Sequence, residues 1–400
     1  MLECAVVGGG IHGTYLVQRL LEGTSLRRSE VAILDPGEEL LESFRRKAEA
    51  CAMTELRSTF VQHVGTEPFG LESFAEAHDR EAELRPTPGY PRRPSLGLFL
   101  DYADYVIDGN DLAALHRRAR VEAIRRAPEG MVLETDDGPV ESRRCVLAIG
   151  HGGRYAWPAW AKGVAGIEHV WDGFDPDERA GHTVVVGGGV TAGQLAVELG
   201  ASERTTVLSR HPFERAVTEA EPPWINWNHI ERELLRHPPG SRARFETIRE
   251  ARNDATIPPH VFEPFEERIA DGSVTVRFDE VERARAVDGT VRLAPTGGGC
   301  LRADRVVLAT GFAPVFEHPF VRRVAETLGL ERGHRGMAVL DDRTLAWRDR
   351  DGGRTPLFVT GALAAGTVGP LAGTVAGARR AADRIVPAVD DAVVAAPTPG

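Results

Sequence analysis

A chain of 400 residues with 42% apolar side chains is long enough for two or three packed domains. Its formal charge of −11 argues against nonspecific binding to nucleic acid or an anionic membrane surface. Four cysteines at 4, 51, 145 and 300, without CxxC or any paired metal spacing, argue against a structural zinc. The first three residues lead straight into an apolar run, so no signal peptide is expected. The uncharged stretch 361–378 is too rich in Gly, Ala and Thr, and broken by Pro370, to read as a membrane span. A cytoplasmic protein is the expectation. Lys47 and Lys162 are the only lysines, a bias that a GC-rich genome explains most simply.

From the amino terminus, Cys4 to Val7 predict a strand, Gly8-Gly9-Gly10-Ile11-His12-Gly13 a tight turn, and Leu16, Val17, Leu20 and Leu21 one face of a helix. A second apolar strand, Val31 to Leu34, ends in Asp35. In such a unit Gly8 permits the turn, Gly10 lets backbone approach a pyrophosphate, and Gly13 lets helix and strand pack closely. The helix N-terminus offers free N–H groups to phosphate, and the acid accepts hydrogen bonds from ribose hydroxyls. The expected ligand of this unit is a dinucleotide.

Met53 to Arg93 reads as a long proline-punctuated loop containing Leu56-Arg57-Ser58 and His63, and long insertions of this kind are often binding elements. For His63 a packed or surface histidine competes with a cofactor-adjacent donor. Ser95 to Ile107 carries Leu96, Phe99, Leu100, Ala103 and Val106 at helical spacing, a core helix. Gly130 to Glu134 and Arg144 to Gly150 predict a meander closed by an apolar strand ending in Ala-x-Gly.

Thr183 to Val186, Gly187, Gly189 and Ala192, and a helix through Gln194 to Leu199 then repeat the opening unit. Here the following strand, Thr205 to Leu208, ends in Ser209-Arg210 instead of an acid. A carboxylate would repel a 2′-phosphate, whereas a hydroxyl and an arginine would hold one, so NADPH is expected over NADH. A solvated surface arginine is the competing reading of Arg210. Glu221 to His260, with Pro222-Pro223-Trp224-Ile225-Asn226-Trp227, is a second irregular stretch expected to vary with substrate. Gly289 to Leu293 and Arg305 to Gly311 repeat the meander and its closing strand. Pro356 to Gly361 predict a buried strand into a turn, Gly369-Pro370 a helix start with proline at its first position, and residues 391–400 a frayed tail.

With both glycine units on the page, the chain resembles the two-dinucleotide-binding-domain flavoproteins over almost its full length. Ala309-Thr310-Gly311-Phe312 is similar to the ATG(Y/F) segment of flavin monooxygenases, including the ornithine and lysine N-hydroxylases. Gly166 to Trp171 resembles, without its full spacing or Trp-Pro ending, the linker fingerprint of group B flavin monooxygenases. For His169 and Trp171 a catalytic role and ordinary linker packing are both open. The resemblance implies an α/β fold of two Rossmann-like domains, the second inserted into the first: an FAD-binding domain from 1–155 and 310–390, and an NADPH-binding domain from 165–305. It implies a return between domains at Thr310 and Gly311, with Gly361 and Gly369 near the flavin, where a helix N-terminus stabilises charge on the reduced ring. Gly361-Ala362 replaces the Gly-Asp pair of many disulfide reductases, a departure that points away from that branch.

Three functions compete. In the first, NADPH reduces FAD and a flavin C4a-hydroperoxide transfers oxygen to a small amine or another nucleophilic substrate. In the second, the protein is an NADPH-dependent reductase of a disulfide, quinone or protein carrier, without its own redox cysteine pair. In the third it is a non-catalytic nucleotide-binding scaffold, disfavoured by the intact turns with Asp35 and Arg210. The monooxygenase, consuming molecular oxygen, is favoured over the reductase.

Overall fold

The structure is a computed structural model and describes residues 1–394. The strand Leu2–Val7 is wholly apolar inward and lies between two parallel neighbours, Val31–Asp35 on one side and Val140–Leu147 on the other. Arg354–Val359 joins parallel to Val140–Leu147, and Ala346–Arg348 closes that edge antiparallel. Strands buried on both faces read as continuous apolar runs, which is why Ala5-Val6-Val7 and Val31-Ala32-Ile33-Leu34 show no alternation. The helix Ile11–Gly23 covers one face and packs against the last helix, Val375–Val394. One hydrophobic core joins residues 2–148 to residues 315–389, two stretches separated by some 170 positions of sequence.

The intervening chain forms a second parallel sheet. Its central strand His182–Val186 lies between Arg204–Ser209 and Arg305–Leu308, with Val274–Phe278 and Ile167–His169 at the edges. Separate cores cover its two faces, one around Leu195, Val261 and Phe265, the other around Ile167, Leu208 and Leu293.

The repeated meanders are built differently. In the first, the single long strand Val140–Leu147 both pairs with Gly130–Thr135 and enters the parallel sheet. In the second, that work is divided: Leu301–Ala303 pairs with Thr290–Pro295, and Arg305–Leu308 enters the sheet.

Three expectations need correction. The stretch 53–93 is not one loop, because it holds the helix Gly70–Ala77 and a hairpin of Leu84–Thr87 with Tyr90–Pro94. The stretch 221–260 is largely helical, with Trp227–Ile230, a π-turn at Glu231–Leu235 and Arg242–Ala251. Gly369-Pro370 does not open the last helix. Gly369 (φ 91°) caps the short helix Ala365–Val368, as a positive-φ glycine does, and Pro370 follows that stop. The last helix begins only at Val375, with Thr374 Oγ1 accepting from the Gly377 N–H.

The helix expected over 95–107 runs Leu96–Gly109, and its Ser95 hydroxyl caps the Leu98 N–H at 3.0 Å. The segment expected as a tail starts inside the last helix, which runs through Val394; residues 395–400 lie outside the described residues. Among the described residues no helix is long and apolar enough to cross a membrane.

Candidate functional site: two glycine turns and the crossing between them

The carboxyl ends of the parallel strands in the first sheet converge on one turn. Gly8 (φ 114°) approaches the end of the neighbouring strand so closely that a Cβ would stand 2.4 Å from the Ala148 carbonyl oxygen. A Cβ on Gly13 would stand 1.9 Å from the Gly8 carbonyl oxygen, so no side chain fits there without moving backbone. Gly10 is the opposite case: nothing lies within 4 Å of where its Cβ would be, and no side chain caps the helix it precedes. Backbone N–H groups at this helix start therefore face open space, the arrangement that suits an anion.

Asp35 is already engaged. One carboxylate oxygen accepts the Gly9 N–H at 2.7 Å and the other the Gly37 N–H at 2.8 Å, tying the turn to the loop after the second strand. Contacts to a ribose would use the lone pairs left over.

Sequence reasoning missed His12, which occupies an unspecified position of the turn. Its ring is buried, with Nδ1 2.8 Å from the Thr360 hydroxyl and Nε2 without any partner. Burial pushes its pKa down to about 4; the neighbouring His151 acts in the same direction and the backbone of Thr374 and Gly373 against it. His12 is thus a neutral ring with one unsatisfied nitrogen, a state that costs roughly 1–3 kcal/mol when nothing else binds there. Gly361 (φ 73°) packs against Gly150 and the His12 ring, which brings it to the same place. Gly369 lies further off, against Trp224 of the helical stretch. His63 is fully buried in the adjoining wall, edge-on to Tyr102 with ring centroids 5.0 Å apart and within 3.4 Å of Arg379; this is a packed histidine.

The second turn copies the first up to a point. Gly187 again approaches the neighbouring strand, where a Cβ would stand 2.5 Å from the Ala309 carbonyl oxygen. The third position is Ala192, fully buried. Ser209 stands where Asp35 stood, but it is 1% exposed and its hydroxyl donates to the His211 carbonyl at 2.7 Å. Arg210, next to it, is exposed. Gly189 is not open: Ala255 Cα lies 3.3 Å from its Cβ position. Arg57 holds the covering segment in place, since its guanidinium donates to the carbonyls of Ala216, Val217 and Thr218 and to the Thr256 hydroxyl.

The two crossings between sheets lie side by side. Ala156 N–H donates to the Gly311 carbonyl, Ala313 N–H to the Arg154 carbonyl, and the Thr310 hydroxyl to the Ala156 carbonyl. Aromatic rings stack over this joint: His151 on Phe312 at 4.1 Å, Phe312 on Trp171 at 4.5 Å, and Tyr155 on His169 at 4.8 Å. Trp171 Nε1 also donates to the Lys47 carbonyl. The half-buried Lys47 ammonium sits 5.8 Å over Phe312 and is held below its usual pKa by burial, then by Arg46. His151, like His12, is lowered to about 4 by burial, and further by Arg252 and Lys47. The sequence signal for His151 is its place directly after the first Ala-x-Gly.

The structure therefore brings Gly8, Gly10, Gly13, Asp35 and Gly361 to one site. Gly187, Gly189, Ala192, Ser209 and Arg210 gather at a second, and Thr310 and Gly311 lie at the joint between them. Residues 5–152 match a family model described as FAD-NAD(P)-binding. No curated protein sequence matches significantly. Among solved structures, the chain is similar to an ornithine N-hydroxylase from Kutzneria sp. 744, with a TM-score of 0.80 at 16% identity over 98% of this chain and 100% of that one. The ornithine hydroxylase of Pseudomonas aeruginosa gives 0.76 at 18%, over 98% and 99%. A bacillithiol disulfide reductase from Bacillus cereus gives 0.64 at 16%, also over 98% and 99%. Two glycine turns at the carboxyl ends of two parallel sheets, joined by a paired crossing, place the chain in the fold shared by these two-domain flavoproteins.

Proposed function

We propose that the protein is an FAD-dependent, NADPH-consuming monooxygenase acting on a small amine or similar nucleophile, within the cytoplasm. In this reading the units 1–155 and 310–390 hold FAD and 165–305 holds NADPH. The observation that carries the first assignment is the unsatisfied His12 Nε2 beside the open face of Gly10 and an uncapped helix start. The residues present fit FAD: the Gly8 to Gly13 turn for its pyrophosphate, Asp35 for its ribose, and His12 and Gly361 toward the remainder. When bound, FAD supplies the two-electron step between NADPH and oxygen.

The chain's own part is to position and to shield. Neutral His12 and His151 bring no cationic charge to the site near neutral pH. The stack of His151, Phe312 and Trp171 walls the joint with rings that exclude water. Arg210, exposed directly after the strand Arg204–Ser209, is the cation assigned to a 2′-phosphate in this reading. The cysteines do not serve a dithiol reductase: Cys4, Cys51 and Cys145 are buried, and burial raises the Cys4 and Cys51 thiols to about 12.

The test is NADPH-dependent oxygen uptake by FAD-loaded protein across a panel of small amines, with the hydroxylamine product quantified. Amine-stimulated uptake with stoichiometric product supports the reading. NADPH oxidation that requires a disulfide or quinone, with no oxygenated product, replaces it with the reductase.

A further inference from the structure

A cavity of about 620 Å³ opens on the side of the first sheet unit, away from either glycine turn in sequence, and is lined by Arg154, Glu317, Pro319, Arg322, Arg332 and Arg335. Four guanidiniums share it with one carboxylate. Elsewhere on this acidic protein surface arginines are commonly matched to acids, as Arg80 is to Glu83 and Asp101, Arg92 to Glu72, and Arg215 to Glu266. Here, among the described residues, none of the four lies within ion-pair distance of a carboxylate. Arg154 and Arg332 donate only to carbonyls, Arg154 to Glu317 at 3.4 Å and Arg332 to Phe316 at 2.9 Å and Gly336 at 3.4 Å, and Arg335 lies 5.5 Å over the Phe245 ring. A second cavity, of about 470 Å³, makes the contrast: Arg126 and Arg350 share it with Glu326, Asp349 and Asp351, so its carboxylates outnumber its guanidiniums.

Two further observations point the same way. Arg335 is held at φ 51°, a left-handed conformation that an L-residue rarely adopts. The turn carrying it is pinned by the His334 N–H donating to the Gly240 carbonyl at 2.7 Å, with Gly333 so close to Gly240 that a Cβ would meet backbone at 2.1 Å. That packing fixes the turn from which Arg335 lines the cavity. The helix Pro319–Leu328 also begins at the rim, adding the positive end of its dipole. His318 at its cap has its pKa lowered chiefly by burial, with the Gly152 carbonyl acting against this and the charges of Arg154 and Arg323 adding to it.

We propose that this cavity is a binding site for a small polyanion, a metabolite bearing two or more phosphate or carboxylate charges, separate from both dinucleotide turns. Planar guanidiniums from three chain segments can grip such a ligand bidentately from several sides. Arg154 belongs to one of the two crossings, its carbonyl accepting the Ala313 N–H of the other, so the ligand would lean on the joint between sheets. The inference does not depend on the monooxygenase reading.

The test is calorimetric titration of FAD-loaded protein with inorganic pyrophosphate and, in a parallel arm, citrate. Saturable binding that weakens about tenfold or more in Arg322→Glu and in Arg335→Glu, but not in Arg210→Ala or the distant Arg285→Glu, is the expected result. The arm that binds tighter tells phosphate from carboxylate chemistry. Both arginines are exposed, so the variants should fold; the neutral Arg322→Gln and Arg335→Gln pair repeats the measurement if either reversal does not. No saturable binding at millimolar concentration, equal affinity in every variant, or loss only in Arg210→Ala overturns the proposal.

Discussion

The two glycine turns share a backbone plan and differ in what surrounds it. In the first, the third glycine is compulsory, the second faces open space, and an acid ties the turn to the next loop through two backbone N–H groups. In the second, alanine fills the third position, Ala255 stands 3.3 Å from the second glycine's Cβ position, and a buried serine replaces the acid. The first turn is shaped to keep a ligand in close backbone contact. The second is shaped for looser contact, under a segment that Arg57 fastens from the other unit. A resident cofactor and an exchanging one would make these two demands.

The comparison breaks or sharpens at single residues. The largest expected effect is Gly13→Val, which forces a branched side chain into a space where even a Cβ meets the Gly8 carbonyl at 1.9 Å. Flavin absorbance per protein should fall to background, and stability should drop by about 1–3 kcal/mol or more as backbone shifts. Stoichiometric flavin in that variant would show that the first turn is not the resident site.

Next is Arg210→Ala, expected to raise the apparent KM for NADPH about ten- to a hundredfold while leaving NADH nearly unchanged. That range corresponds to the roughly 1.5–3 kcal/mol of a charge-assisted contact. Parallel losses for both nucleotides would mean damage to the second unit instead of a lost 2′-phosphate contact.

His12→Leu should lower flavin affinity about tenfold while changing the stability of the cofactor-free protein little, because removing the unsatisfied nitrogen is offset by leaving the buried Thr360 hydroxyl without its partner. The acid limb supplies a second readout. His12 has its pKa lowered from 6.5 to about 4, so its neutral form favours the folded state above 6.5, and that advantage is lost as pH falls toward 4. The variant should lose up to about 1.4 kcal/mol per pH unit less than the wild type over that window, measured by denaturant unfolding. Identical acid limbs would put His12 in contact with water.

The smallest effect separates the second glycines. Gly10→Ala should leave the unfolding midpoint of cofactor-free protein almost unchanged, since the Cβ meets nothing, yet weaken flavin retention. Gly189→Ala should cost about 0.5–1 kcal/mol of stability, because Ala255 must give way by a few tenths of an ångström. The reverse ranking would exchange the roles of the two turns.

Much of this arrangement was legible in the chain because it follows from local rules. Apolar runs bounded by glycine, with an acid or Ser-Arg after the next run, are enough to place both turns and both sheets. The rest depends on contacts distant in sequence. His12 lies at a position that the glycine spacing leaves free, and its meaning comes from Thr360, 348 residues away. The helices inside 221–260 were hidden by prolines and tryptophans that read as loop, although Ser241 caps Arg242–Ala251 in the ordinary way. The start of the last helix was misplaced because Pro370 can either open a helix or follow the end of one, and only the φ of Gly369 decides between them.

The paired crossing has a mechanical consequence. A single strand of chain between two bodies behaves as a swivel, free to twist about its own axis as well as to bend. Here two strands lie antiparallel, bridged at Tyr155 and Phe312 and held by hydrogen bonds from Ala156 and Ala313, with rings stacked over the outside. Twisting would shear those bonds in opposite senses, while flexing about the line joining the strands leaves them in register. Two antiparallel crossings therefore resist twist between the sheet units more than a single strand would, and Arg57 adds a further tie where it holds the carbonyls of Ala216, Val217 and Thr218.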